Sequence, residues 1–113
     1  MIKIYHNPRC SKSREGLAIL ENSGKKFEVI KYLENVPTIE ELTEVLQRLG
    51  IKPQQLLRKT EAIWKEKYKG QELSDAEIIA IMVANPKLIE RPIVVNGKKA
   101  VLGRPPQNIL NII

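Results

Sequence analysis

Ile2-Lys3-Ile4-Tyr5-His6-Asn7-Pro8-Arg9-Cys10-Ser11-Lys12-Ser13-Arg14 opens the chain. Ile2 to Tyr5 alternates apolar and polar residues, the period of a strand with one buried face, and a helical pattern starts near Ser11, with Leu17 and Leu20 on one face and Gly24 at its close. Phe27 to Ile30 reads as a second strand. Strand, helix and strand in so short a span form a βαβ unit, whose two strands are parallel with a right-handed crossover. Cys10 therefore falls where a strand turns into a helix. The first helical turn leaves N–H groups without internal partners and carries the positive end of the helix dipole, so a negative charge is stabilised there. A thiolate is such a charge, and thiols in this position drop from about 8.5 into the range of roughly 3.5 to 7.5. Arg9, Lys12 and Arg14 bring cations close in sequence.

Downstream the pattern is helical. Two capping boxes, Thr38 with Glu41 and Ser74 with Glu77, mark helix starts. Leu42, Val45, Leu46 and Leu49 make an apolar stripe ending at Gly50, and Ile78, Ile79, Ile81 and Met82 continue the second helix until Asn85-Pro86 stops it. Short helices are expected around Pro53 to Leu57 and Thr60 to Lys67, where Trp64 and Tyr68 at i,i+4 spacing read as a packed aromatic face. From Ile93 the pattern becomes strand, Asn96-Gly97 turn, strand through Leu102, a β-hairpin signal. Gly103-Arg104-Pro105-Pro106 then leads into a last helix, expected to turn Ile109, Leu110 and Ile113 inward. Gly16, inside the first helix, costs about 1 kcal/mol relative to Ala and is either tolerated or needed for a close approach. The expected fold class is α/β: βαβ then ββα, the thioredoxin-like order, in a single domain over residues 1–113 with a helical insertion between the two halves at about 37–88.

Composition narrows the function. The chain has 42% hydrophobic and 28% charged residues, ordinary for a soluble domain, and its net charge of +6 suits an anionic partner. Aromatic residues amount to only 4% and no block of about five like charges occurs, so small anions are favoured over direct nucleic-acid binding. No apolar run is long enough to span a bilayer and the first residues form no signal peptide, so no membrane association and a cytoplasmic location are expected. One cysteine cannot close an internal disulfide, and one histidine with one cysteine supplies too few soft ligands for a zinc site.

The polar surroundings of Cys10 favour a nucleophile over a packed thiol. His6 either tunes the thiolate, as a cation or hydrogen-bonding neighbour, or fills a structural role at a strand end. Ser13 either donates its hydroxyl to the sulfur or serves the helix start, and Arg14 either supports the thiolate or is solvated. Arg14 follows Cys10 by four positions, too few for the phosphate loop of the low-molecular-weight phosphatases. A thiolate acting on an anion needs fixed cations, and guanidinium forks suit tetrahedral oxyanions. Arg58, after Leu56-Leu57, and Arg91 and Arg104, each before or beside a proline flanking the hairpin, are the candidates.

The stretch His6 to Arg14 resembles the HNPxCxxSR signature of the ArsC family, the glutathione- and glutaredoxin-coupled arsenate reductases. The resemblance extends through Tyr32-Leu33-Glu34-Asn35, Leu56-Leu57-Arg58-Lys59, Asn85-Pro86, Glu90-Arg91-Pro92-Ile93-Val94-Val95 and Gly103-Arg104-Pro105. It implies a thioredoxin-like fold with a helical insertion, a cis-proline at Arg91-Pro92, Cys10 as the nucleophile, and Arg58, Arg91 and Arg104 as oxyanion ligands. It further implies that arsenate is attacked by the thiolate, that glutathione releases arsenite as a co-substrate with no bound cofactor, and that glutaredoxin reduces the mixed disulfide. A monomer is expected. Arg9, Ser11 and Lys12 stand where resistance-operon members have small residues, which places the chain nearer a shorter branch of arsenate reductase-like proteins. Two other readings remain: a regulator resembling Spx, which binds RNA polymerase without enzymatic activity, although this chain has Cys10-Ser11-Lys12-Ser13 in place of a CxxC switch, and a thiol-dependent reductase or transferase of another substrate.

Overall fold

The computed structural model describes all of residues 1–113, in two units: Met1–Val36 with Arg91–Ile113, and Pro37–Glu90. The first unit carries a four-stranded sheet in the order β2-β1-β3-β4, with β1 at Ile2–His6, β2 at Phe27–Lys31, β3 at Ile93–Asn96 and β4 at Lys99–Leu102. β1 and β2 run parallel, Ile2 opposite Phe27 and His6 opposite Lys31, connected by helix α1 over Ser11–Asn22. β3 returns antiparallel to β1, with Tyr5 opposite Ile93. This is the thioredoxin-like arrangement, in which β1 and β3 occupy the middle and their ends carry the functional loops. Ile2, Ile4, Leu20, Val94 and Ile109 form the buried core, with Leu17, Phe27 and Val101 packed around it. Each such aliphatic side chain contributes about 1.5 to 3 kcal/mol relative to exposure.

The hairpin forms with its turn one residue later than its sequence suggests. Asn96 pairs with Lys99, so Gly97 and Lys98 are the loop, and Gly97 takes φ +61° while Lys98 keeps a negative φ. Glycine at the first central position is the mark of a II′ turn, whose twist matches the strands. Asn96 is thereby kept in β3, where its side-chain amide donates to the Ile112 carbonyl at 2.7 Å.

The last helix departs from expectation. Pro106–Asn111 is a 3-10 helix, so its inner face repeats every three residues: Pro106 and Ile109 are buried and Ile112 is partly covered, whereas Leu110 is 60% exposed. An α-helical period would place Leu110 inward. Prolines at 105 and 106 sit at the N-cap and first position, where an α-helix also leaves its amides unpaired, so they do not select the helix type; the tighter turn goes with the spacing of three between Pro106, Ile109 and Ile112.

The second unit contains α2 at Ile39–Leu49, α3 at Pro53–Leu56, α4 at Ala62–Lys67, α5 at Asp75–Ala84 and a short 3-10 turn at Pro86–Leu88. Both capping boxes are formed. Glu41 N–H donates to Thr38 Oγ1 at 3.1 Å and Thr38 N–H to Glu41 Oε1 at 3.2 Å; the Ser74 and Glu77 pair does the same at 3.2 and 3.0 Å. α2 turns Leu42, Val45 and Leu46 inward and ends at Gly50 in the left-handed region, and α5 buries Ile78, Ile79 and Met82. Trp64 is buried and stacks on Tyr68 at 5.7 Å between ring centroids. Leu57 bridges to Ile89, and the flanking bonds from Arg58 N–H to the Leu88 carbonyl and from Glu90 N–H to the Leu56 carbonyl close this short ladder. No helix is long and apolar enough to cross a membrane.

Candidate active site

The loop between β1 and α1 is built around Asn7. Its carbonyl accepts the Cys10 N–H at 3.0 Å and its side-chain oxygen accepts the Arg9 N–H at 3.0 Å, so the turn after the strand is closed twice before the helix begins. Sequence reading gave Asn7 no role, although an asparagine before a proline signals such a turn. Cys10 is the N-cap of α1, with extended backbone, and its carbonyl accepts the Arg14 N–H at 3.0 Å as the first helical bond.

Burial alone would raise the Cys10 pKa, yet the thiol lies below its ordinary value, because the Ser13 N–H, the Arg91 guanidinium and the Lys12 N–H together outweigh that cost. The sulfur closes no formal cap hydrogen bond. The N–H groups of the first turn therefore act as converging dipoles, and Arg91 adds a full charge. The cation that acts on the thiol thus comes from the far end of the chain. The sequence neighbours are otherwise engaged: Lys12 pairs with Glu15 at 3.4 Å, and Arg14 donates from Nη1 to the Pro8 carbonyl at 3.0 Å.

His6 and Ser13 form a buried pair beneath this loop. His6 Nδ1 lies 2.7 Å from Ser13 Oγ, and the Asn7 N–H donates to the same oxygen at 2.9 Å. That oxygen already accepts one proton, so the hydroxyl proton is assigned to Nδ1, which leaves the neutral ring protonated at Nε2. Burial lowers the His6 pKa; the Ser13 backbone pulls upward, the Lys31 and Arg14 charges push further down, and Glu21 opposes them. His6 is accordingly neutral at pH 7. Ser13 serves the sulfur through its backbone N–H, while its hydroxyl belongs to His6 and Asn7.

Arg91 precedes β3 and is 8% exposed. Its carbonyl accepts Nη1 of Arg104 at 3.1 Å, and Gly103 N–H donates to the Pro92 carbonyl at 2.8 Å, so the segment after β4 is tied to the segment before β3. Arg91-Pro92 and Arg104-Pro105 are both cis. The structure therefore sets the Arg91 guanidinium against Cys10 and ties Arg104 to the main chain of Arg91. Arg58 belongs to the second unit, where its side chain is 20% exposed, it pairs with Glu90 at 3.6 Å, and its Nε is enclosed without a hydrogen-bond partner.

An activated half-buried thiol at a helix start, with a buried guanidinium acting on it, can attack an electrophile and hold an anion. Residues 5–112 match the ArsC family. The chain belongs to that family. An arsenate reductase of Haemophilus influenzae is 43% identical to this ArsC-family chain, covering 97% of each. An uncharacterized protein of Escherichia coli K12 is 46% identical, covering 99% of this chain and 96% of its own. The solved structure of an arsenate reductase from Vibrio cholerae superposes with a TM-score of 0.95 at 50% identity, covering 99% of this chain and 97% of that one.

Proposed function

We propose that this ArsC-family protein reduces arsenate to arsenite with Cys10 as the nucleophile, taking electrons from glutathione and then glutaredoxin. The observation that carries the reading is the Cys10 thiol held below its ordinary pKa with Arg91 among the causes; the arsenate reductases of H. influenzae and V. cholerae, similar over nearly the whole chain, support it. Cys10 Sγ attacks arsenic(V), an As–S bond forms, and one arsenate oxygen leaves as water after taking up two protons. A glutathione thiolate then attacks the Cys10 sulfur. An S–S bond forms, the As–S bond breaks, and its electron pair stays on arsenic, which departs as arsenite. A glutaredoxin thiol removes the glutathione from Cys10 and restores the thiolate. A chain with one cysteine has no resolving thiol of its own, so an external donor is required.

Arg91 and Arg104 are the proposed oxyanion ligands from the first unit, and the family resemblance adds Arg58 as a third. Guanidinium groups stabilise the charge that builds on the arsenate oxygens during attack. His6, Ser13 and Arg14 are proposed to support the thiolate indirectly, by shaping the loop that presents it. A cytoplasmic location follows from the need for glutathione and a reduced thiol. Purified protein supplied with glutathione, glutaredoxin and arsenate is expected to form arsenite, and Cys10→Ser to form none. Absence of arsenite with every plausible thiol donor would overturn the assignment.

A further inference from the structure

Gly16 on α1 and Gly103 after β4 face the same proline ring. A Cβ at Gly16 would stand 2.9 Å from Pro92 Cγ and 3.0 Å from Ile109 Cδ1; one at Gly103 would stand 2.7 Å from Pro92 Cγ and 3.2 Å from Ile109 Cδ1. Neither glycine has a positive φ, so backbone conformation is not why glycine is needed there. The requirement is space beside Pro92. A ring carbon is tied to its backbone and cannot swing aside as the end of an isoleucine can, so an added atom must shift the Pro92 segment relative to the backbone that carries the glycine.

That main chain is the one that carries the proposed chemistry. Pro92 follows Arg91 directly. Gly16 lies on the helix whose N-cap is Cys10. Gly103 precedes Arg104 and donates its N–H to the Pro92 carbonyl at 2.8 Å, beside the Arg104 bond to the Arg91 carbonyl at 3.1 Å. We infer that Gly16 and Gly103 are positioning residues: by letting α1 and the segment after β4 close onto the Pro92 ring, they set the Arg91 guanidinium against the Cys10 sulfur and the anion. The inference deepens the reading of Cys10 as an anion-attacking thiolate and rests on it. Packing alone would explain a loss of stability in an alanine variant. It would not explain a change in thiol titration in a protein that remains folded.

The test is the rate of Cys10 alkylation by iodoacetamide against pH, and the protection of Cys10 by arsenate or sulfate, in Gly16→Ala and Gly103→Ala. Neither readout needs a thiol donor or turnover, so a failure of the arsenate reductase reading leaves both measurable. In folded variants the apparent thiol pKa is expected to rise, and the anion concentration giving half-protection to rise roughly tenfold or more, within the roughly hundredfold scale of a 1 Å misplacement. Ile109→Val, which removes the other atom met by both glycines without pressing on Pro92, is expected to lose stability and keep the wild-type titration. Pro92→Ala, which removes the ring carbon from the opposite side, is measured alongside in case either alanine variant fails to fold, and is expected to raise the thiol pKa as well. Folded variants with wild-type titration and protection, or an Ile109→Val titration as perturbed as theirs, would overturn the inference.

Discussion

Arg104 Nη1 donates to the main-chain carbonyl of Arg91 at 3.1 Å. One guanidinium therefore braces the backbone of another, and the arginine it braces is buried and acts on the Cys10 thiol. Arg91→Ala is expected to raise the apparent pKa of Cys10 and to slow arsenite formation by roughly 10²- to 10³-fold, the usual cost of removing one fixed donor to a developing oxyanion. Arg104→Ala is expected to shift the thiol in the same direction by less, since it loosens Arg91 without removing its charge. Iodoacetamide kinetics across pH 5 to 10 read both, and equal shifts in the two variants would contradict the bracing relationship.

The thiol itself makes stability depend on pH. A folded pKa below the unfolded value means that the native state favours the ionised form, so the stabilisation is fully present above the unfolded thiol pKa, about 8.5, and is lost as pH falls through the lower folded value. Wild type is therefore expected to gain on Cys10→Ser as pH is raised from 6 to 9. Paired thermal melts at several pH values check the sign, and a difference that shrinks over that window refutes it.

His6 works on the acid side. Its pKa is lowered chiefly by burial, so the unfolded chain takes up a proton more readily than the folded one. Stability is complete above about 6.5, the unfolded value, and declines as pH falls from there toward the folded pKa. His6→Gln, which can still hydrogen-bond Ser13 but cannot titrate, is expected to lose this acid sensitivity while paying a constant packing cost. Denaturant midpoints at pH 7.5 and 5.5 for both proteins measure it.

Local signals made much of this architecture legible in the sequence. Capping boxes at Thr38 and Ser74 declare themselves by residue type and spacing, because the bonds that define them span only three residues, and the strand-to-helix junction at Cys10 is marked in the same way. Contacts between distant segments were not legible. Nothing in the sequence near Cys10 indicates that Arg91, and not the adjacent Arg14, acts on its charge; Gly16 reads there either as tolerated or as a close approach, but the sequence names neither Pro92 as its neighbour nor Gly103 as facing the same ring. The 3-10 period of the last helix was missed because an α-helical spacing also fits its apolar residues, and only packing distinguishes the two.

The caps should affect stability and nothing else. Thr38→Ala removes a side-chain acceptor from the Glu41 N–H in the second unit and is expected to cost about 1 kcal/mol, within a range of roughly 0.5 to 2. Cys10 alkylation should titrate unchanged. A shift in the thiol titration of a folded Thr38→Ala protein would mean that this helix start is coupled to Cys10.

Leu110 and Ile109 give the sharpest test of the last helix, since they are adjacent and chemically similar yet differ entirely in exposure. Ile109 is 0% exposed within the core of the first unit, and Leu110 is 60% exposed. With three residues per turn, Ile109 shares its face with Pro106 and Ile112, and position 110 falls a third of a turn away. Ile109→Ala should cost about 2 to 5 kcal/mol through lost burial and the cavity left behind, whereas Leu110→Lys should stay within about 0.5 kcal/mol of wild type. An α-helical end with both side chains inward would make Leu110→Lys the more damaging of the two, because it would bury an unpaired charge. Denaturant unfolding of the two variants therefore decides the helix type as well as the energetics.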